Sequence, residues 1–234
     1  MSRLVNFLRE RKGDYGIGIT FCDLDEVMFY TKAMIHVYNK ETGKLVTKLN
    51  NQEFNSYQLK PNEEFDFREF KDAKLFRETS DPITPMVNRI KRMIDMLKKN
   101  ERGSKIIFLT ARSDFDNKQE FLNTFRDLGI DMDFRPTVYV ERSGNIKTGT
   151  VEEKKEKIVL KYLKNEPYRR VRMIDDHRGN IVQFMKIADK LPRDIVDSVR
   201  QEYNIPEGEV VMEFYGLHVD SNGKLTLMDK REVY

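Results

Sequence analysis

The chain has 234 residues, 39% hydrophobic and 35% charged, which is enough apolar material for one large domain or for a domain with an inserted module. Its 42 basic residues nearly balance 39 acidic ones, for a net charge of +3, so overall charge makes no case for nucleic acid and only local patches could. A single cysteine, Cys22, excludes an intrachain disulfide and a cysteine zinc cluster and fits a reducing cytoplasm; no apolar run approaches the roughly 20 residues of a membrane span.

Residues 1–12, MSRLVNFLRERK, lack the long apolar core of a signal peptide, and Leu4, Val5, Phe7 and Leu8 predict a short amphipathic helix. The β-rich run 17–22 predicts a strand that ends abruptly in Asp23-Leu24-Asp25. Side chains alternate along a strand, so Asp23 and Asp25 share a face wherever the extended form continues, while Cys22 points the other way into the core. Two like charges that close raise each other's pKa unless a cation lies between them.

Residues 33–38 and 44–49 flank Asn39-Lys40-Glu41-Thr42-Gly43 and predict a β-hairpin. Residues 52–78 are rich in Phe, Asn, Glu and Lys with weak periodicity. Residues 31–81 are therefore read as an inserted cap module, leaving 1–30 and 82–234 as the core. Thr84 before Pro85 predicts a helix N-cap followed by proline at the first helical position. Met86, Val87, Ile90, Met93, Ile94 and Leu97 then recur at helical spacing up to Lys99.

A buried strand is predicted over 105–109, ending at Thr110-Ala111-Arg112, and a helix over 116–128, with Gly129 as its C-terminal cap. Further strands are predicted at 137–140, 170–174 and 209–214. Helices are predicted at 151–164, around Ile181–Ala188 and at 192–203, and a closing hairpin turns at Ser221-Asn222-Gly223. Strands alternating with helices imply an α/β fold, a mostly parallel sheet with helices on both faces.

Three predicted strand ends carry polar groups: Asp23/Asp25, Thr110/Arg112 and Asp175/Asp176. In a parallel sheet these ends lie on one edge, where ligands bind in open α/β folds. Carboxylates without His or Cys make a hard oxygen site that suits Mg²⁺. A hard cation beside a carboxylate, a hydroxyl and basic groups is the equipment for phosphoryl transfer.

The order of these motifs resembles the haloacid dehalogenase superfamily of aspartate-nucleophile phosphatases. The residues that carry the likeness are Asp23-Leu24-Asp25-Glu26-Val27 after the first strand, Thr110 after the second, a lysine in Lys154-Lys155 near a helix start, and Asp175-Asp176 after the last. The resemblance implies a Rossmannoid three-layer sandwich. It implies Asp23 as nucleophile, Asp25 as general acid and base, Thr110 on the phosphoryl oxygens, and Lys155, preferred to Lys154, as counter-charge. It also implies Mg²⁺ held by Asp23, the Asp25 backbone carbonyl, Asp175 and Asp176. Glu26 departs from the small residue, often glycine, that many relatives carry there.

Within the superfamily, Asp81-Pro82-Ile83-Thr84-Pro85-Met86-Val87, Thr110-Ala111-Arg112 and Ile174-Asp175-Asp176-His177 are most similar to the 3′-phosphatase domains of phage polynucleotide kinase-phosphatases and related RNA-repair domains. No P-loop accompanies them, so the likeness is to the phosphatase half alone. It implies a phosphorylated nucleotide or nucleic-acid end as substrate, with Arg112 on the phosphate. Lysines and arginines at 147–164 and 168–172 are candidates for a surface that holds a phosphodiester backbone, and Tyr30, Tyr57, Arg68 and Arg77 for substrate contacts. The alternatives are a small phosphate ester as substrate, or a binding protein on the same fold, whose mark would be a lost motif.

Overall fold

The computed structural model describes residues 16–100 and 102–234; the expected amphipathic helix near the N-terminus lies outside them. A six-stranded sheet has the order β11 (Leu225–Val233), β10 (Met212–Val219), β9 (Arg170–Asp175), β1 (Gly18–Cys22), β7 (Lys105–Thr110), β8 (Val138–Arg142). All neighbours are parallel except β11, which returns antiparallel along β10.

Alternation along the strands sorts the core into two layers. Cys22, Ile106, Phe108, Ile174 and Leu217 face helices α3 (Thr84–Asn100) and α4 (Lys118–Asp127), whose Ile90, Ile94, Phe121 and Phe125 cover them. Ile19, Phe21, Ile107, Val171 and Met173 face the opposite way. They meet α5 (Val151–Asn165), α6 (Arg178–Asp189) and α7 (Arg193–Glu202) through Val159, Phe184 and Val199. The result is a three-layer α/β sandwich with a mostly parallel sheet. Gly129 takes φ +72° just past α4, the left-handed position that glycine supplies at a helix end. Thr84 is the first helical residue of α3 instead of its cap, because the Ile83 carbonyl already accepts from Met86 and Val87. The last parallel strand begins at Met212, three residues later than expected, and its far end forms the closing hairpin.

After β1 the chain turns tightly. The Leu24 carbonyl accepts from the backbone N–H of Met28 (2.8 Å) and of Phe29 (3.0 Å), and Leu24, Val27, Met28 and Phe29 are all buried. Strand β2 (Phe29–Tyr30) then leaves the core beside β6 (Asp81–Pro82), with which it pairs antiparallel. The segment between them thus departs and returns at one point. It builds its own three-stranded sheet, β4 (Leu45–Leu49), β3 (Ile35–Asn39), β5 (Glu63–Asp66), with the short helix α1 (Asn51–Ser56). Ile35, Val37 and Leu49 form a small separate core with Phe54, Tyr57, Phe65 and Phe70.

The last part of this segment belongs with the sandwich. Helix α2 (Ala73–Thr79) buries Ala73 and Phe76 in the main core, where Phe76 meets Phe29, Phe115 and Phe121. Its start is tied to the loop after β7, with the Ala73 N–H on the Asp116 carboxylate and the Asp116 N–H on the Lys71 carbonyl.

Candidate active site

The chain runs outward from β1 through β7 to β8, then returns to β9 on the other side of β1. That reversal opens a crevice at the carboxyl end of β1. Asp23 follows β1 and extends its ladder by one bond, N–H to the Ile174 carbonyl at 2.9 Å. Thr110 ends β7 and Asp175 ends β9, so the three polar strand ends lie side by side.

Lys155 enters from the first turns of α5, whose capping box at Thr150 and Glu153 fixes where the helix starts. Its ammonium is 2% exposed and donates to Asp23 Oδ2 at 2.8 Å and Asp175 Oδ2 at 2.7 Å. Lys154 does not take this place. Asp175 is fully buried and also accepts from the Asn180 amide (2.9 Å) and the His177 backbone N–H (2.9 Å). Burial would lower the Lys155 pKa, but Asp175 and Asp23 together hold it above the usual lysine range. Burial pushes the Asp23 carboxyl well above the carboxylate range, with Lys155 opposing and Asp175, Asp176 and Asp25 adding. Asp176 is pushed up to about 6, by burial and then by Asp175.

Asp23, Asp175 and Asp176 each offer an oxygen, and the three lie within 4.8 Å of one another. Three carboxylates face one ammonium, an excess of negative charge in a buried place. The donors are all oxygen, so the set fits a hard divalent cation.

Asp25 is held apart from this trio. Arg112 grips its carboxylate from two nitrogens, Nε at 3.0 Å and Nη2 at 2.7 Å. The same guanidinium donates to Thr31 Oγ1 (2.7 Å) and the Phe70 carbonyl (3.1 Å). It lies over the rings of Phe70, Phe76 and Phe115, 4.5, 4.7 and 5.6 Å from their centroids. Arg112 was expected on the phosphate. Instead it is 3% exposed, and four of its five N–H groups go to Asp25, Thr31 and Phe70.

Glu26 adopts φ +58°, the left-handed region a glycine would enter freely. For an L-residue this conformation costs about 1–2 kcal/mol. Its N–H donates to the Phe29 carbonyl at 2.8 Å, which closes the turn. Burial and then the Asp25 charge raise its pKa; the Asn51 side-chain amide and the Thr31 backbone N–H work against that rise.

Thr110 is fully buried, and its Oγ1 accepts from the Arg112 N–H at 3.1 Å. Ser143 Oγ donates to the Thr110 carbonyl at 3.0 Å. At Gly144 a Cβ would sit 2.4 Å from the Ala111 carbonyl oxygen and 2.6 Å from Arg112 C, so only glycine lets this loop brace the turn. Ser143, Gly144, Asn180 and Phe70 escape the sequence reading. Only Asn180, a polar residue at the start of an apolar helix just after an acidic pair, leaves a local trace.

The four candidate substrate contacts are engaged elsewhere: Tyr30 with the Ser221 carbonyl, Tyr57 with Glu63, Arg68 with Asp66, and Arg77 with Glu120 and Asp127. Arg170 and Arg172 are buried in β9 and contribute no basic surface. No helix among the described residues is long and apolar enough to cross a membrane. No protein-family model matches the chain, nor does any curated protein or solved structure.

Proposed function

We propose that the chain is a Mg²⁺-dependent phosphatase of the haloacid dehalogenase type that works through an aspartyl-phosphate. One observation carries this reading: a buried ammonium shared by Asp23 and Asp175, next to Asp176, at the carboxyl end of the central strand. A carboxylate in such a place can approach an anionic phosphoryl group because its own charge is offset.

In the first step an Asp23 oxygen attacks phosphorus, and the bond to the ester oxygen breaks as Asp25 gives that oxygen a proton. In the second, Asp25, now a carboxylate, takes a proton from the water that attacks phosphorus. Inorganic phosphate leaves and the Asp23 carboxylate is restored. Lys155 works against the burial that disfavours the charged form of Asp23, and Arg112 sets the direction of the Asp25 carboxylate. Asp23, Asp175 and Asp176, with the Asp25 backbone carbonyl, would hold Mg²⁺, which would supply charge neutralisation at the phosphoryl oxygens.

The residues between β2 and β6 act as the cap in this reading, since Phe70 and Thr31 reach the guanidinium that holds Asp25. For substrate we favour a nucleotide or nucleic-acid 3′-phosphate, on the likeness of the motifs around 81–87, 110–112 and 174–177. A small phosphate ester is the second reading. The burial of Thr110, Lys155 and Asp175 favours it, because a covered site suits a compact leaving group.

The test is phosphate release from nucleotides, sugar phosphates, phosphopeptides and 3′- or 5′-phosphorylated oligonucleotides, with Mg²⁺ and with EDTA. Mg²⁺-dependent release, fastest from a 3′-phosphorylated oligonucleotide and abolished by Asp23→Asn, is the expected result. No Mg²⁺-dependent release from any substrate, or full activity in Asp23→Asn, overturns the reading in favour of a binding protein. A mononucleotide turned over as well as the oligonucleotide, with no salt dependence, removes the polymer as substrate.

A further inference from the structure

Phe67 is the one phenylalanine among the described residues that is exposed, at 40%. A single apolar side chain at a surface is ordinary; the setting of this one is not. Val37 of β3 stands opposite Phe65 of β5, so the two share a face of the small sheet, the face that packs Ile35, Leu49, Phe54, Tyr57 and Phe70. Phe67 follows β5 and joins that cluster, its ring centroid 5.7 Å from Phe54, 6.0 Å from Phe65 and 6.2 Å from Phe70. The contacts with Phe54 and Phe70 are edge-to-face, at 84° and 76°. Three rings thus hold Phe67 in one orientation while part of it stays in water. A ring fixed before it binds loses little freedom on binding.

Its place relative to the site gives that surface a use. Phe70 touches Phe67 on one side and Arg112 on the other: the guanidinium lies 4.5 Å from the Phe70 ring centroid and donates to the Phe70 carbonyl. The same guanidinium grips Asp25. The row Phe67, Phe70, Arg112, Asp25 leads from an exposed aromatic ring to the proposed proton donor of the leaving group. Phe67 is one ring removed from the guanidinium, much as a base is one sugar removed from its phosphate. Phenylalanine offers no hydrogen bond, so what it recognises is a flat π-face; every base has one, and a sugar phosphate has none.

We infer that Phe67 is a specificity-determining residue: its exposed ring stacks on the base of a nucleotide whose phosphate is held at Asp23, with little choice among bases. This rests on the phosphatase reading and on its nucleotide substrate.

The test uses two 3′-phosphorylated DNA oligonucleotides that differ only in the last residue, which carries a base in one and is abasic in the other. The wild type should favour the base-bearing one by about tenfold or more in kcat/KM, with the difference in KM. Phe67→Ala should bring that ratio to within about twofold of one, and Phe67→Trp should keep it. A structural role alone would lower the melting temperature and both substrates together and leave the ratio standing. A wild-type ratio near one, or a ratio that survives in Phe67→Ala, overturns the inference. If only small esters are turned over, the phosphatase reading stands and the stacking falls. If the wild type releases phosphate from nothing, the phosphatase reading fails, and Kd values for the two oligonucleotides with Mg²⁺, read by fluorescence anisotropy, replace kcat/KM. A tenfold ratio of Kd that Phe67→Ala removes then sustains the stacking, and equal affinity or no binding of either overturns it.

Discussion

Asp23 and Asp25 stand one residue apart and are held by different parts of the molecule. Asp23 is fixed wholly by the sandwich: Lys155 from α5, the Ile174 carbonyl of β9 and the Leu24 N–H of its own turn. Asp25 is held by Arg112, and Arg112 is in turn held by Thr31 and Phe70 of the small-sheet segment and by Phe76 of α2. The proposed nucleophile is therefore as rigid as the sheet. The proposed acid and base is only as well placed as the segment that docks on it. In the proposed mechanism, the segment that would cover the site also holds the guanidinium that aligns the proton donor.

The strongest way to break the Asp23 half is Lys155→Met. It leaves Asp23 and Asp175 buried without their cation, and removing one partner of a buried pair costs about 3–5 kcal/mol. Urea denaturation should show a loss of that size, and phosphate release should vanish. Asp23→Asn, by contrast, should abolish release with little loss of stability, because burial already disfavours the Asp23 charge.

The Asp25 half breaks at Arg112. Arg112→Met removes the group that orients the proposed proton donor, and general acid–base catalysis is worth about 10²–10⁴-fold. We expect kcat to fall by about 10²-fold or more with KM nearly unchanged. A rise in KM at constant kcat would instead mean that Arg112 contacts the substrate phosphate.

Asp176 gives a pH-dependent contrast. Its folded pKa of about 6 lies above the usual carboxyl value of about 3.9, so the fold favours the protonated form. The resulting stability is complete below about pH 4 and is lost as pH climbs through 6. Without metal, Asp176→Asn should match the wild type near pH 4 and exceed it by roughly 3 kcal/mol at pH 7.5. Saturating Mg²⁺ should erase or reverse that advantage, since the wild type alone would gain from binding. Denaturation midpoints at the two pH values, with EDTA and with Mg²⁺, check this.

The same contrast governs what the sequence reveals. The parallel sheet and the line of Asp23, Thr110 and Asp175 are legible because each depends on local periodicity plus a strand end, whereas Lys155 lies in a charged helical run and is singled out only by the resemblance. Arg112 on Asp25 is not legible, because its partners at 31 and 70 are brought near only by the pairing of β2 with β6. Arg170 and Arg172 read as surface charge by composition, whereas β9 is central and buries them. Helix α2 is grouped with the insertion by its weak periodicity. In fact Ala73 and Phe76 anchor it to the main core, and those two apolar positions alone are too few to show a period. Glu26 shows as a departure from a motif, but its left-handed φ is visible only in three dimensions.

The finest distinction lies in the two rings nearest Arg112, with Phe115 farther off at 5.6 Å. Phe70 belongs to the small sheet's own core and is partly exposed, while Phe76 is 1% exposed within the sandwich. Replacing either by leucine removes one cation–π contact, worth about 0.5–2 kcal/mol when desolvated. In Phe70→Leu the backbone carbonyl that accepts from Arg112 remains, so the guanidinium should stay in place but less tightly held. A loss near 1 kcal/mol corresponds to about a fivefold fall in kcat. Phe76→Leu should lower kcat to a similar degree and also destabilise the protein, because it leaves space in a packed core beside Phe29, Phe115 and Phe121. Similar kinetics with unequal stability would show that both rings act on catalysis through Arg112. A fall in kcat for Phe76→Leu alone would trace its effect to the core and remove the small sheet from the alignment of Asp25.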